Sequence, residues 1–319
     1  MKARLFVLVV LTALAAAVQA QAYPTKVVRF IVGYPAGGSI DVVGRMLASE
    51  FTKSWGQQVI VDNRAGAAGT IAARLAADAP PDGYTLLVGA AAQISSAPSN
   101  FKKLSYDPQR DLTPIALVAN QPNILIVHPS VPVRNAKDFI ARVKANPGKF
   151  TYGSSGIGAT QHMSAELFAM MTGANILHVP YKGGAPAMVD LLAGQIDFMF
   201  SVVPTAVPYI KAGRVRGVAL TSRQRIESLP DVPTLHESGV SGFELSGWIG
   251  LLSPANLPRE LVAQLNAEVN KAVKGPLRKP LVDLGLGLAP GTPAEFAAFI
   301  REDTAKIAKI VKAANIPPQ

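Results

Sequence analysis

Residues Val27 to Leu47, VVRFIVGYPAGGSIDVVGRML, place a strand, a glycine turn and a helix in immediate succession. Val27, Val28, Phe30, Ile31 and Val32 form the short, β-branched apolar run of a buried parallel strand. Pro35, Gly37 and Gly38 break it. Val42, Val43, Met46 and Leu47 then recur at helical spacing, so a helix begins near Ser39. The first turn of a helix carries N–H groups without intrahelical partners and the positive end of the dipole. Two glycines leave no side chain between that backbone and a ligand. The stretch fits an ordinary tight turn, or an anion cradle, most simply for a carboxylate.

The unit then repeats. Gln58 to Val61 reads as a second strand, Asp62 to Gly69 as another glycine-rich turn, and an Ala-rich helix runs to about Ala77. Tyr84 to Gly89 is a third strand, completing the β-α-β-α-β unit of a doubly wound parallel sheet. Gln93 to Asn100 reads as a polar loop past the C-terminal end of that strand. Open α/β sheets bind ligands at that edge, which makes Gln93 a candidate contact. Strands at Ile115–Ala119 and Ile124–Val127, around Asn120-Gln121-Pro122, form the first crossover into a second domain.

That domain repeats the opening device. Strand Phe150–Gly153 leads into the loop from Ser154 to Thr160, then into a helix with Met163, Leu167, Met170 and Met171 apolar, ended by Gly173. Ser154, Ser155 and Thr160 offer hydroxyls beside free N–H groups, as helix caps, ligand contacts or both. Pro180 to Gly184 is a third glycine turn, with Pro186 suited to the first position of the next helix. Ser246 to Leu252 is the return crossover. From Pro258 the chain is mostly helical, ending in an amphipathic helix from about Pro293 to Ala313, and these helices are expected to pack on the first domain. The layout is discontinuous: residues 23–121 with 249–319 form one domain, and residues 122–248 the other.

Residues 1–22 read as a signal peptide. Lys2 and Arg4 precede an apolar run from Leu5 to Val18, and cleavage sites follow Ala20 and Ala22. Export is expected. Removing Lys2 and Arg4 lowers the formal charge from +10 to about +8, which serves solubility or steers small anions. The basic residues are scattered and no nucleic-acid motif appears. Zero cysteines exclude disulfides, thiolate chemistry and zinc–thiolate sites. No nucleophile elbow, P-loop or complete dinucleotide fingerprint is present, and the four histidines are dispersed, so no metal or cofactor is expected. His162, beside the second glycine loop, reads as a cap, a core residue or a ligand neighbour. Asp41 reads as a capping acid, or as a holder of an amino group or ordered water.

Seven segments, in order and spacing across nearly the full length, resemble the Bug family of periplasmic receptors of tripartite tricarboxylate transport systems. They are Tyr34 to Asp41, Val61 to Gly66, Pro81 to Leu86, Tyr106 to Pro108, Gly153 to Gly158 with His162, His178 to Pro186, and Leu229 to Thr234. The resemblance implies a two-domain, type II clamshell fold of periplasmic binding proteins, with the ligand cleft between doubly wound α/β domains. It implies capture of a small mono- or dicarboxylate, with amino and aromatic acids also open. The family's carboxylate-holding turns match Tyr34, Ala36, Gly37, Gly38 and Asp41, and Ser154, Ser155, Gly156, Thr160 and His162. The turn with Tyr181, Lys182 and Gly183 borders the same cleft. The expected partners are membrane transporter subunits, or a sensor protein in the alternative. An enzyme is disfavoured, and a monomer is expected.

Overall fold

The structure is a computed structural model that describes residues 23–318. The expected signal peptide lies outside the described residues. Strand β1 (Val28–Val32), helix α1 (Ser39–Trp55), β2 (Val59–Asn63), α2 (Thr70–Ala77) and β3 (Thr85–Ala90) follow the sequence expectation closely. Strands β2, β1 and β3 pair in parallel. Helix α1 buries Val43, Leu47 and Phe51 against Phe30 and Val32. It ends at Gly56, where a φ of +66° suits glycine.

The expected loop after β3 is instead helical. A π turn, Ala92–Ser96, runs into the short helix α3 (Ala97–Asn100). Ile94 and Ala97 are buried, and Ile94 packs among Ile31, Leu87 and Trp248. That apolar pair draws the polar residues inside with it, and Gln93, Ser95, Ser96 and Asn100 are all buried.

The two strands expected around Asn120-Gln121-Pro122 are one. Strand β4 (Leu112–Val127) runs 16 residues without a break. Its first part pairs antiparallel with β9 (Ser246–Pro254), which also pairs with β3. From Asn123 onward it pairs with other strands, so Pro122 sits where the ladder changes partner and its missing N–H is tolerated.

The second lobe comprises α4 (Ala136–Ala145), β5 (Thr151–Ser154), α5 (Thr160–Thr172), β6 (Leu177–Pro180), α6 (Gly184–Leu192), β7 (Phe198–Val202), α7 (Val203–Lys211) and β8 (Arg216–Leu220). Strands β7, β5 and β6 run parallel, while β4 pairs antiparallel with β7 and β8. Both sheets are therefore mixed, joined by antiparallel crossover strands. Helix α6 starts before Pro186, which stands in its first turn, where a helix needs no N–H.

Helices α8 (Arg259–Lys274) and α9 (Arg278–Asp283) cover the first lobe, as expected, through Leu265, Val269, Val273 and Leu281. A two-strand pairing, β10 (Gly287–Leu288) against β4, follows. The last helix, α10 (Pro293–Ala313), departs from expectation. Its Phe296 and Ile300 join the first-lobe core around Trp248, but Ile307, Ile310 and Val311 join the second-lobe core around Phe139 and Phe168. Its apolar face is long enough to serve both cores. Strand β9 makes room for it with Gly250, where a Cβ would run into the Phe296 ring. Gly250→Ala is expected to destabilise the protein by about 1–3 kcal/mol, read from denaturant midpoints.

Candidate functional site

Two helix N-termini from opposite lobes meet at one register of the crossover. Gln121 of β4 donates its Nε2 to Ser39 Oγ, at the start of α1, at 2.7 Å. Directly opposite Gln121 in the ladder is Gly247 of β9. A Cβ on Gly247 would lie 3.4 Å from Thr160 Cγ2, at the start of α5. Asn123, two residues along β4, donates to Ser164 Oγ at 3.0 Å, and Ser164 Oγ donates to the Thr160 carbonyl at 2.8 Å. The crossover strands thus form a polar floor beneath both helix starts. Neither α1 nor α5 has a side-chain cap. Their first-turn N–H groups are left as donors with aligned dipoles, the arrangement that binds anions.

The turn before α1 is held by its own acid. Asp41 is 1% exposed. Its carboxylate accepts from Gly37 N at 2.9 Å, Arg45 Nε at 2.9 Å and Asn63 Nδ2 at 2.8 Å. Burial opposes the charge, but these hydrogen bonds and the Arg45 guanidinium outweigh it and hold the carboxyl below its usual range. Gly37 N–H is spent on Asp41 and Gly38 N–H on the Pro35 carbonyl at 3.3 Å, so the free donors begin at Ser39, in the first helical turn. Ala36, Gly37 and Gly38 remain exposed as an open lip. Tyr34 is half-buried, with its hydroxyl 3.3 Å from the Ala68 carbonyl, and burial pushes its phenol up.

In the second lobe, Ser154 is fully buried. Its hydroxyl meets His178 Nε2 at 2.7 Å and accepts from Gly156 N at 3.1 Å. The sequence showed no serine beside a histidine, whereas the fold makes one. Burial and the facing His162 push His178 down to about 4, and the buried hydroxyl is enclosed by its own turn. The pair locks the loop. Ser155 Oγ donates to Gln161 Oε1 at 2.9 Å, and Thr160 Oγ1 lies 3.5 Å from the same oxygen. His162 is buried under the loop and accepts from Gly158 N at 3.1 Å. Tyr181 donates through its backbone N to the Ser154 carbonyl at 3.1 Å and through its hydroxyl to Asp190 at 2.7 Å. Burial and that acid push its phenol up to about 12. Lys182 is exposed, and Gly183 (φ +127°) precedes α6. This third turn flanks the glycine loop, with Gly156 facing the Tyr181 carbonyl.

Gln93 lies beside the opening turn. Its Oε1 is 3.1 Å from where a Gly33 Cβ would stand, and a Gly69 Cβ would crowd the same oxygen and approach Tyr34 Cζ to 3.3 Å. Gln93 is fully buried, yet neither amide atom has a partner. An unpaired buried amide costs about 1–3 kcal/mol. Gln93→Met is therefore expected to raise the unfolding free energy by about 1 kcal/mol while weakening ligand capture, as read by melts and calorimetry.

Ser39, Gln121, Asn123, Asn100, Gln161 and His178 were not singled out as candidate site residues from the sequence. Their signal was polarity inside apolar strands or beside glycine turns, which reads equally well as loop. Among the described residues, no cluster of three or more histidine or acidic side chains is arranged to hold a metal. None of the described helices is long and apolar enough to cross a membrane.

The family model described as tripartite tricarboxylate transporter family receptor matches residues 43–316. Protein BugT of Bordetella pertussis is 34% identical over 304 residues, covering 94% of this chain and 92% of its own. The structure of R. palustris Rpa4515 with adipate superposes with a TM-score of 0.85 at 34% identity, covering 93% of this chain and 100% of that one. MatC (Rpa3494) from Rhodopseudomonas palustris with bound malate gives a TM-score of 0.79 at 32% identity, covering 91% and 100%. With a family match across most of its length and the same two-lobed architecture, the chain belongs to the receptors of the tripartite tricarboxylate transporter family.

Proposed function

We propose that the protein captures a small mono- or dicarboxylate between its lobes in the periplasm and presents the closed form to membrane transporter subunits. The observation that carries this is the convergence of the α1 and α5 N-termini on the Gln121–Gly247 pair. One carboxylate placed there takes neutral donors from both lobes, so it favours closure through contacts that exist only when the lobes meet. Relatives at 34% and 32% identity hold adipate and malate, which supports the carboxylate class. The contacts fall to the Ser39 and Thr160 turns, with Tyr34, Gln93, Ser155 and Tyr181 as walls. The lobes are residues 23–121 with 249–319, and 122–248. The mature chain, cleaved after Ala20 or Ala22, works as a monomer.

A thermal-shift screen of the ligand-stripped mature protein tests the proposal. The panel holds mono-, di- and tricarboxylates, amino acids and aromatic acids. An acid at 100 times its dissociation constant adds about 2.7 kcal/mol, a plain upward shift. Shifts confined to one carboxylate class identify the substrate. A folded protein that responds to no acid in the panel contradicts the proposal.

A further inference from the structure

Gly158 is held from two sides. Its N–H donates to His162 Nδ1 at 3.1 Å, and its carbonyl accepts from Asn100 Nδ2, on the other lobe, at 3.4 Å. A Cβ at this residue would collide with the Asn100 amide, and its φ of +79° suits glycine. A backbone N–H can only donate, so His162 Nδ1 must carry a lone pair. The proton of the neutral ring then sits on Nε2, 3.6 Å from Glu166 Oε1. The His162 ring stacks on His178 at 4.1 Å with 11° between planes, and His178 stacks on Tyr152 at 4.7 Å. One imidazole therefore fixes the start of the glycine loop through Ser154, and the other fixes its end through Gly158.

We propose that His162 is a positioning residue. Its neutral ring holds Gly158 in the shape that meets Asn100 and opens the α5 turn to a carboxylate, and protonation of the ring undoes this. The proposal rests on the receptor function above. The titratable groups facing His162 are Glu166 on its own helix, His178 on β6 and Tyr152 on β5. His178, pushed down to about 4, stays neutral at pH 6 and above. His162 is the ring of the stack whose Nδ1 accepts a backbone N–H, so a proton taken up there turns that acceptor into a donor. Nδ1–H would then face Gly158 N–H, donor against donor. Binding is strong while the ring is neutral and weakens once it is protonated.

The first test needs no ligand. Long-range proton–nitrogen spectra of the ¹⁵N-labelled protein should show His162 as the Nε2–H tautomer, with the Gly158 amide shift following its titration. Calorimetry with adipate and with malate, at about pH 8 and about pH 6, should show weaker binding at the lower pH. His162→Asn places an amide oxygen where Nδ1 lies and cannot titrate. It should bind within about threefold of wild type at pH 8, with a flat profile. His162→Leu should bind at least about tenfold more weakly at both pH values, the loss of one hydrogen bond with its donor left unpaired. An Nδ1–H tautomer, a Gly158 amide indifferent to the titration, or equal pH ratios in wild type and His162→Asn would overturn the proposal. If neither these acids nor any other of the panel binds at either pH while the Gly158 amide tracks His162, loop positioning stands and the receptor proposal fails.

Discussion

Gly38→Leu is expected to fold as the wild type does and to bind its carboxylate a hundredfold or more weakly. Gly38 has φ −72° and ψ 161°, ordinary extended backbone open to any residue. A Cβ there would meet only the Pro35 carbonyl oxygen, at 3.4 Å. The fold therefore has little reason to object. The ligand does, because the side chain stands at the N-cap of α1, over the free donors of Ser39 and Ile40. A carboxylate denied two such charge-assisted hydrogen bonds loses about 3–6 kcal/mol, and each 1.4 kcal/mol is tenfold. The neighbouring glycine separates the effects. Gly37 has φ +83°, so Gly37→Ala costs about 1–2 kcal/mol of stability through backbone strain. Calorimetry on Gly38→Leu decides the matter: affinity within threefold of wild type would mean that the carboxylate does not sit at the α1 N-terminus.

Asp41→Ala is expected to cost about 2–3 kcal/mol of stability, a fall in Tm on the order of 10 °C. The substitution removes the acceptor of Gly37 N–H and one of the two acceptors of Asn63 Nδ2, which keeps the Tyr34 carbonyl. The contribution from Arg45 is discounted because that side chain is half exposed. The pH dependence has a definite sign. The folded carboxyl titrates below its unfolded value of about 3.9. Its stabilisation is thus complete above that value and is lost as pH falls through the lower folded value. The gap between wild type and Asp41→Ala, measured by denaturant melts, should be full at pH 7 and narrow below about pH 4. A gap that stays constant into acid would show that the Asp41 charge does not hold the turn.

Much of this was legible in the sequence. The short apolar runs and the helical spacing gave β1 to β3 within a residue or two at each end, and Pro293 to Ala313 as one helix. The glycine turns marked where helices α1, α5 and α6 begin. What the sequence could not show was which donors those turns keep for themselves. Asp41 lies four residues past Gly37, at helical spacing, and either a capping acid or a ligand-side acid fits there. Gln121 and Asn123 looked like turn residues because Pro122 stands between them. Only a change of strand partner at Pro122 lets a proline sit inside a 16-residue strand. His162 and His178 are 16 positions apart in the chain, and nothing local announces that their rings stack. Polarity near Gln93 suggested solvent, but Ile94 and Ala97 drew that segment into the core.

Helix α10 bears on how tightly such a receptor can hold a small molecule. It is rooted in both cores, with Asp303 between its two apolar halves accepting from Trp248 Nε1 at 2.9 Å. Two crossover strands alone would let the lobes bend and twist freely about them. A helix seated at both ends is a third tether, and it resists twisting while still permitting a bend. The unliganded protein then samples a narrow set of lobe orientations rather than a broad one. Less orientational freedom remains to be lost on capture, so a molecule with few atoms can still be held firmly.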